Sequence, residues 1–293
     1  MNVADCHLHI LDPDRFAYDP RAPYLPAPHE TAPADMLAAV HEAHGITHAL
    51  LVGPTSGYGY DNRCLLDALA KGGGRWRGIA LAPPDASMAT LSSLAAAGVV
   101  GLRIDLAAHG PGLAEACLRA GLFDRMRELG WVLQVQTDAR LLPAALPALK
   151  SARLTLVFDH CGRPAPPEGL GQAGFAALLA LGREGAAHVK LSGANRWAGG
   201  HFPHVAAEPF VAAILDAFTP ARCVWGSDWP FLRAPIRLDY GPELALLGRW
   251  IPDERARRRV LWDTPRSLFG FADDRAMSPA AVARPDQTNA PNA

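Results

Sequence analysis

His7-Leu8-His9-Ile10-Leu11-Asp12-Pro13 runs out of the first apolar segment of the chain and decides between two folds. Short apolar segments alternate with helical patterns along most of the 293 residues. Strands are predicted at Val3–Ile10, Thr47–Val52, Arg77–Ala82, Val99–Ile104, Val132–Gln136, Leu154–Asp159, His188–Ser192 and Cys223–Asp228. Helices are predicted at Ala34–Ala43, Asn62–Lys71, Ser87–Ala97, Leu113–Leu129, Leu141–Leu149, Phe175–Arg183, Glu208–Phe218, Pro242–Trp250 and Asp253–Leu268. The strands are rich in Val, Ile and Leu without strict alternation, which suits a parallel sheet covered on both faces. An open nucleotide-binding sheet would carry a glycine-rich turn after its first strand. Here two histidines stand there instead. Eight strands, each followed by a helix, match a single-domain (β/α)8 barrel in count, order and length. The barrel is expected over 1–271, distorted and with long rim loops, and a doubly wound open sheet is the alternative. Residues 272–293 are mostly Ala, Pro, Asn and Asp, and read as a disordered tail.

Composition narrows the function. The chain is 49% hydrophobic and 19% charged, enough for a sizeable core, and its formal net charge is −1. That balance argues against a general binder of nucleic acid or of an anionic membrane. The one dense basic run, Arg255-Ala256-Arg257-Arg258-Arg259, follows Asp253 and Glu254 at a helix start and reads as a solvated helix face. Five cysteines with no C-x-x-C pair give neither a disulfide framework nor a zinc-finger spacing, and Cys6 and Cys223 fall in predicted strands as small buried groups. The N-terminus lacks a basic region followed by an apolar stretch, and no apolar run is long enough for a bilayer. A cytoplasmic setting is expected, and either a monomer or a homo-oligomer fits.

Barrel chemistry takes place at the C-terminal ends of the strands. His7 and His9, two apart on one strand, share a face, and two imidazoles aimed at one point suit metal binding or carbonyl polarisation better than core packing. Later strand ends add polar groups to the same rim: Thr55 and Ser56, Arg103 and Asp105, Gln134 and Gln136, Asp159, His160 and Arg163, Lys190, Ser192, Asn195 and Arg196, then Ser227 and Asp228. Buried polar clusters need a partner or a purpose. Arg103 and Arg196 suit either an anion or a loop carboxylate. Lys190 sits mid-strand, where an ion pair inside the barrel is one reading. Cys161 adjoins His160, but strand neighbours face opposite ways, which argues against a catalytic thiol. Trp225 and Trp229 read as packing residues.

Read together, Asp5-Cys6-His7-Leu8-His9-Ile10, Gly101-Leu102-Arg103-Ile104-Asp105, Phe158-Asp159-His160-Cys161-Gly162-Arg163-Pro164, the stretch from Val189 to Arg196 and Trp225-Gly226-Ser227-Asp228-Trp229-Pro230 resemble the amidohydrolase superfamily. Within it they resemble the branch of 2-pyrone-4,6-dicarboxylate and related lactone hydrolases. The stretch Pro54–Asn62 and the Thr264–Phe269 segment fit as well, so the similarity runs from Asp5 to Phe271.

The resemblance implies a distorted barrel that hydrolyses a small carboxylated lactone, in the catabolism of aromatic or sugar acids. It implies Asp228 as the general base toward water, and His7, His9 and His160 as the group that polarises the lactone carbonyl. It implies Arg103 and Arg196 as binders of the substrate carboxylate, with Ser56 or Thr55, Tyr24 and Gln136 as further substrate contacts. The pyrone-dicarboxylate enzymes carry another Arg shortly after strand four and a tyrosine at the end of strand five; here Ala107-Ala108-His109 and Gln136 stand there. Fewer cationic contacts suit a substrate with one carboxylate, or with a different second anionic group.

Binuclear members of the superfamily need a Lys or Glu after strand four and a His after strand five. Arg103 and Gln134/Gln136 occupy those ends, so a binuclear centre is not expected. No cofactor is expected to be required, since Arg103 can supply positive charge. The alternative is one Zn2+ held by His7, His9, His160 and Asp228. With zinc, the same site suits a decarboxylase or hydratase of an aromatic or unsaturated acid. A lactone isomerase and a non-catalytic barrel that binds a small carboxylate are the remaining readings.

Overall fold

The computed structural model describes residues 2–199 and 202–273. Eight parallel strands follow one another around one sheet in chain order. They are β1 (Ala4–Leu8), β2 (His48–Val52), β3 (Trp76–Ala80), β4 (Val99–Asp105), β5 (Val132–Gln136), β6 (Thr155–Phe158), β7 (Ala187–Leu191) and β8 (Cys223–Trp225). Past β8 the chain returns to β1. The Asp228 N–H donates to the His7 carbonyl at 2.8 Å, and the His9 N–H donates to the Trp229 carbonyl at 2.9 Å. These two bonds bring the ends of the sheet together, and the fold is the expected (β/α)8 barrel.

Strand faces sort the core into two parts. Leu51, Leu102, Leu133, Phe158 and Leu191 point outward and pack with the helices. Cys6, Leu50, Ile79, Val132, Val157 and Val224 point inward, where Trp262, Phe269 and Phe271 join them from the C-terminal segment. The N-terminal half of the barrel interior is therefore apolar and filled. Its C-terminal half carries the polar side chains, as a barrel site requires.

One irregularity in β1 sets the histidines. Asp5 pairs with Ala49 and Leu8 with Leu51, so β1 uses one residue more than β2 over this stretch. Such a bulge reverses the side-chain parity beyond it. Cys6 faces the interior cluster and Leu8 the outer one. With unbroken alternation His7 and His9 would share the outward parity of Asp5.

Several expectations differ in detail, and the strands expected through Ile10 and Ala82 end at Leu8 and Ala80. The helix expected at Leu113–Leu129 is two, Gly112–Arg119 and Leu122–Glu128, broken where Gly121 takes a left-handed φ of +72°. The helix expected at Asp253–Leu268 is an α-helix at Glu254–Arg258, a widened π turn at Arg259–Asp263 and an α-helix at Thr264–Phe269. Pro265, in the first turn of that last piece, has no N–H to continue a regular ladder. The strand expected through Asp228 ends at Trp225, and the one expected through Asp159 ends at Phe158. Most of the tail expected at 272–293, from 274 on, lies outside the described residues.

Elsewhere the reading stands. Asp253 caps its helix by accepting the Ala256 N–H at 2.7 Å. All five cysteines are free and buried, and Trp225 and Trp229 are buried in the core. Among the described residues no helix is long and apolar enough to cross a membrane.

Gly226 marks the closest approach at the closing seam. A Cβ there would lie 2.5 Å from the His7 Cβ and 2.8 Å from the His7 backbone nitrogen. Gly226→Ala should therefore destabilise the fold by at least about 1–3 kcal/mol, the usual range for overpacking. Urea denaturation checks this, and an unchanged midpoint would mean that β1 and β8 are not in tight register.

Candidate active site

Ten residues carry the sequence expectation, and nine of them line one cavity of about 560 Å³ at the C-terminal end of the barrel: Tyr24, Thr55, Ser56, Arg103, Gln136, His9, His160, Arg196 and Asp228. The tenth, His7, is fully buried against Asp228.

Asp228 is the centre of the arrangement. It is fully buried, and its backbone sits at a left-handed φ of +62° just past β8. Three imidazole Nε2 atoms approach its Oδ1: His160 at 3.7 Å, His7 at 3.8 Å and His9 at 3.9 Å. Its Oδ2 accepts from the Nε of Arg196. Oδ1 and the His7 Nε2 are both buried without a hydrogen-bond partner. Buried polar atoms without partners mark a place where a water, a substrate atom or an ion belongs.

Each imidazole is held through its Nδ1. The Nδ1 of His9 is 2.7 Å from the Val52 carbonyl and must carry the proton, so its Nε2 presents a lone pair to the site. The Nδ1 of His7 is 3.2 Å from Asp159 Oδ1 and 3.3 Å from Lys190 Nζ. The Nδ1 of His160 is 2.9 Å from the Ser192 hydroxyl, which can donate or accept. Burial holds all three imidazoles neutral: His7 and His160 lie well below the ordinary histidine range, and His9 is lowered to about 3, with Arg103 adding to the effect. Burial raises Asp228 above the ordinary carboxylate range, and Arg196 opposes that rise.

His160 does not sit in a strand. It opens a 3-10 turn, His160–Gly162, with left-handed φ at His160, Cys161 and Arg163. Strand alternation therefore does not govern its neighbour. Cys161 still turns away from the site, its Sγ 3.7 Å from the Lys190 carbonyl, and burial pushes its thiol up to about 12. Gly193 makes room for the ring, since a Cβ there would lie 2.5 Å from the His160 Nδ1.

Beneath the imidazoles lies a closed ionic network. Asp159 Oδ1 is 3.3 Å from Lys190 Nζ, Lys190 donates to Gln134 Oε1 at 2.7 Å, and Gln134 Nε2 donates to Asp159 Oδ2 at 2.9 Å. All three side chains are buried. Burial lowers the Lys190 pKa and Asp159 opposes that. The ion-pair reading of Lys190 holds, and the pair serves to fix the His7 ring. A second anchor lies outside the barrel wall. Asp5 Oδ1 accepts from the His7 N–H at 3.1 Å and the Ser227 N–H at 3.0 Å, and its Oδ2 accepts from the Tyr240 hydroxyl at 2.9 Å. Burial raises the Asp5 pKa to about 6, and those hydrogen bonds hold it down.

Four arginines border the cavity. Arg196 is tied to Asp228, and Arg163 Nε lies 3.2 Å from Asp138. Arg103 donates to the Thr55 hydroxyl at 3.0 Å, and Thr55 donates to Asp105 at 3.0 Å. The Arg103 Nε is buried without a partner. Arg196, which suited either an anion or a loop carboxylate, thus has one nitrogen committed to the Asp228 carboxylate, whereas Arg103 keeps a donor for a ligand. The fourth, Arg233, was not singled out in the sequence; its guanidinium lies 4.7 Å from the centroid of the Tyr24 ring. Glu30 was missed too. It accepts from the Tyr24 hydroxyl at 2.5 Å, the Ala27 N–H at 2.7 Å and the Arg233 N–H at 2.5 Å. The available signals were a lone carboxylate in a proline-rich rim loop and a cation five residues past Asp228.

The donor set also fits a metal. One ligand atom from each of His7, His9 and Asp228 lies within 4.8 Å of the others. The Val52 carbonyl behind His9 and the Asp159 carboxylate behind His7 match the usual support of metal-binding imidazoles.

Comparison with known proteins finds the amidohydrolase family pattern over residues 4–271. The 4-sulfomuconolactone hydrolase of Rhizobium radiobacter is 32% identical over 274 residues, covering 91% of this chain and 89% of that protein. The 2-pyrone-4,6-dicarboxylate hydrolase of Comamonas testosteroni is 28% identical over 281 residues, covering 91% and 90%. Among solved structures, a Pseudomonas putida protein provisionally assigned as a 2-pyrone-4,6-dicarboxylic acid hydrolase superposes with a TM-score of 0.82 at 33% identity, covering 92% of this chain and 97% of that one.

Replacing Lys190 alone isolates the buried network. Lys190→Met leaves Asp159 charged and uncompensated, which should cost about 3–5 kcal/mol of stability, as broken buried pairs do. A loss within about 0.5 kcal/mol, the scale of an inert surface change, would show that the pair does not hold the site together.

Proposed function

The chain belongs to the amidohydrolase family, and from that premise we propose that it opens a carboxylated lactone by hydrolysis. The observation that carries this reading is the unsatisfied Asp228 Oδ1 facing three neutral imidazoles at the floor of an arginine-bordered cavity. The lactone hydrolases among its relatives support the same reaction class.

The roles follow from donor and acceptor chemistry. Arg103, with Thr55 and Ser56 beside it, holds the substrate carboxylate. Tyr24, Gln136 and the free edge of Arg196 shape the rest of the pocket. A water between His9 Nε2 and Asp228 Oδ1 gives one hydrogen to each acceptor, and the 3.9 Å gap supports such a bridge. Asp228 Oδ1 takes the proton as the water oxygen bonds to the lactone carbonyl carbon. The oxyanion accepts from His160 Nε2, whose proton is available when the Ser192 hydroxyl donates to Nδ1. It accepts also from His7 Nε2 when Lys190 donates to the His7 Nδ1. The ring C–O bond then breaks, and Asp228 returns its proton to the departing oxygen. Water becomes divided between the new carboxyl group and the new hydroxyl, and the carboxyl group then releases its proton to solvent, so atoms and protons balance.

Neutral imidazoles suit this role because they donate and accept without competing with Asp228 for charge. Arg103 and Arg196 supply the positive field, so the reading needs no metal. Were a Zn2+ bound, His7, His9 and Asp228 would hold it with His160 beside them, and it would supply Lewis acidity toward the carbonyl and a lower pKa for water.

Asp228→Asn should lower kcat for 2-pyrone-4,6-dicarboxylate or a muconolactone by about 10²–10⁴-fold, the usual worth of a general base. Near-normal turnover would remove Asp228 from this role. Protein purified without added metal and then dialysed against a chelator should keep its hydrolytic rate. Loss of the rate with restoration by one zinc per chain would reassign the four residues to a metal centre.

A further inference from the structure

The geometry points to Arg233 as the residue that selects a second anionic group on the substrate, at the rim of the cavity. This deepens, and rests on, the lactone reading above.

Of the four arginines on the cavity, two face carboxylates: Arg163 faces Asp138 and Arg196 faces Asp228. Arg103 reaches Asp105 only through Thr55. Among the described residues Arg233 has no carboxylate within ion-pair distance of its guanidinium. Against these four guanidinium groups the cavity wall sets three carboxylates, Asp105, Asp138 and Asp228, and the three histidines are neutral. Near Arg233 the buried Glu30 carboxylate is taken up by the Ala27 and Arg233 N–H groups and the Tyr24 hydroxyl, so the guanidinium itself keeps no acidic partner among the described residues. A cavity with that imbalance favours a substrate that brings charge of its own to both Arg103 and Arg233.

Arg233 is also held in place. It adopts a left-handed φ of +57°, which a non-glycine residue keeps only where its surroundings fix it. Glu30, 4% exposed, accepts its N–H and the Tyr24 hydroxyl with its two carboxylate oxygens. One buried acid thus fixes both members of the guanidinium–ring stack. The stack covers one face of the guanidinium and leaves its edge donors for a planar anion. No cation stands at Ala107 and Ala108, which line the same cavity beyond β4, so a second cationic contact has to come from elsewhere on the rim, and Arg233 is placed there by the loop after β8.

The test compares wild type with Arg233→Gln and Arg233→Lys on a matched pair, 2-pyrone-4,6-dicarboxylate and 2-pyrone-6-carboxylate. Arg233 is exposed, so its replacement leaves the core intact; thermal unfolding verifies this. Arg233→Gln should raise KM for the dicarboxylate about 10- to 100-fold, the worth of hydrogen bonds to a charged group. kcat/KM for the monocarboxylate should stay within about threefold, a shift too small for a lost charged contact. Lys, which keeps the charge without the fork, should fall between. Equal losses on both substrates would overturn the assignment. Calorimetry with isophthalate and benzoate separates this from the reaction itself. If wild type prefers the dianion and Arg233→Gln erases that preference, the subsite stands even if neither pyrone is hydrolysed. If both proteins bind the two acids with the same ratio, it falls. Glu30→Gln, which weakens the anchor while leaving Arg233 in place, should reduce the same preference in the isophthalate and benzoate comparison; no change in that preference would argue against positioning by Glu30.

Discussion

The seam between β1 and the segment after β8 is the constraint on which the site depends. Two main-chain hydrogen bonds cross it, from Asp228 to His7 and from His9 to Trp229. Three of the four residues in these bonds, His7, His9 and Asp228, also bring their side chains together at the site. Closing the barrel and assembling the site are therefore one event. Asp5 reinforces the seam from outside, with one carboxylate oxygen on the N–H groups of His7 and Ser227 and the other on Tyr240. Gly226 allows the approach because a side chain there would strike His7.

Around this seam the interior divides by polarity. The apolar half is sealed by Trp262, Phe269 and Phe271 from the last helical segment. The polar half is layered: Lys190, Asp159 and Gln134 lie deepest, the imidazoles and Asp228 above them, and the arginines toward the mouth. Each layer limits the next. Lys190 and Asp159 offset each other's burial and set the His7 ring; the neutral rings leave Asp228 Oδ1 without a partner. A buried charge is costly unless paired; here Lys190 and Asp159 pair within the deepest layer, and Asp228 finds Arg196 in the layer above it.

Charge at the mouth has a different purpose. Arg163 and Arg196 are partly neutralised by acids on neighbouring loops, while Arg103 and Arg233 retain donors. Glu30 links the loop after β1 to the loop after β8, so the rim is joined above the same seam that closes the barrel. Catalytic geometry and substrate selection thus share one structural joint.

The architecture and most of the wall of the site can be read along the chain. Strand–helix alternation and the pair His7 and His9 in place of a glycine-rich turn are local patterns, and local patterns survive in one dimension. Strand ends bearing Arg103, His160, Arg196 and Asp228 were legible because a barrel directs every C-terminal strand end to one rim. The break at Gly121 was less legible, since apolar spacing runs on through it, and the widened turn before Thr264 depends on packing as well as on Pro265. Only the tertiary structure decided the rest. The bulge that turns His7 inward is a register relation between two strands. The binding of Arg196 to Asp228, the placing of Lys190 behind His7 and the stacking of Arg233 on Tyr24 join residues remote in the chain. Such contacts are fixed by the three-dimensional closure of the sheet, and the spacing of residues along the chain holds no record of them.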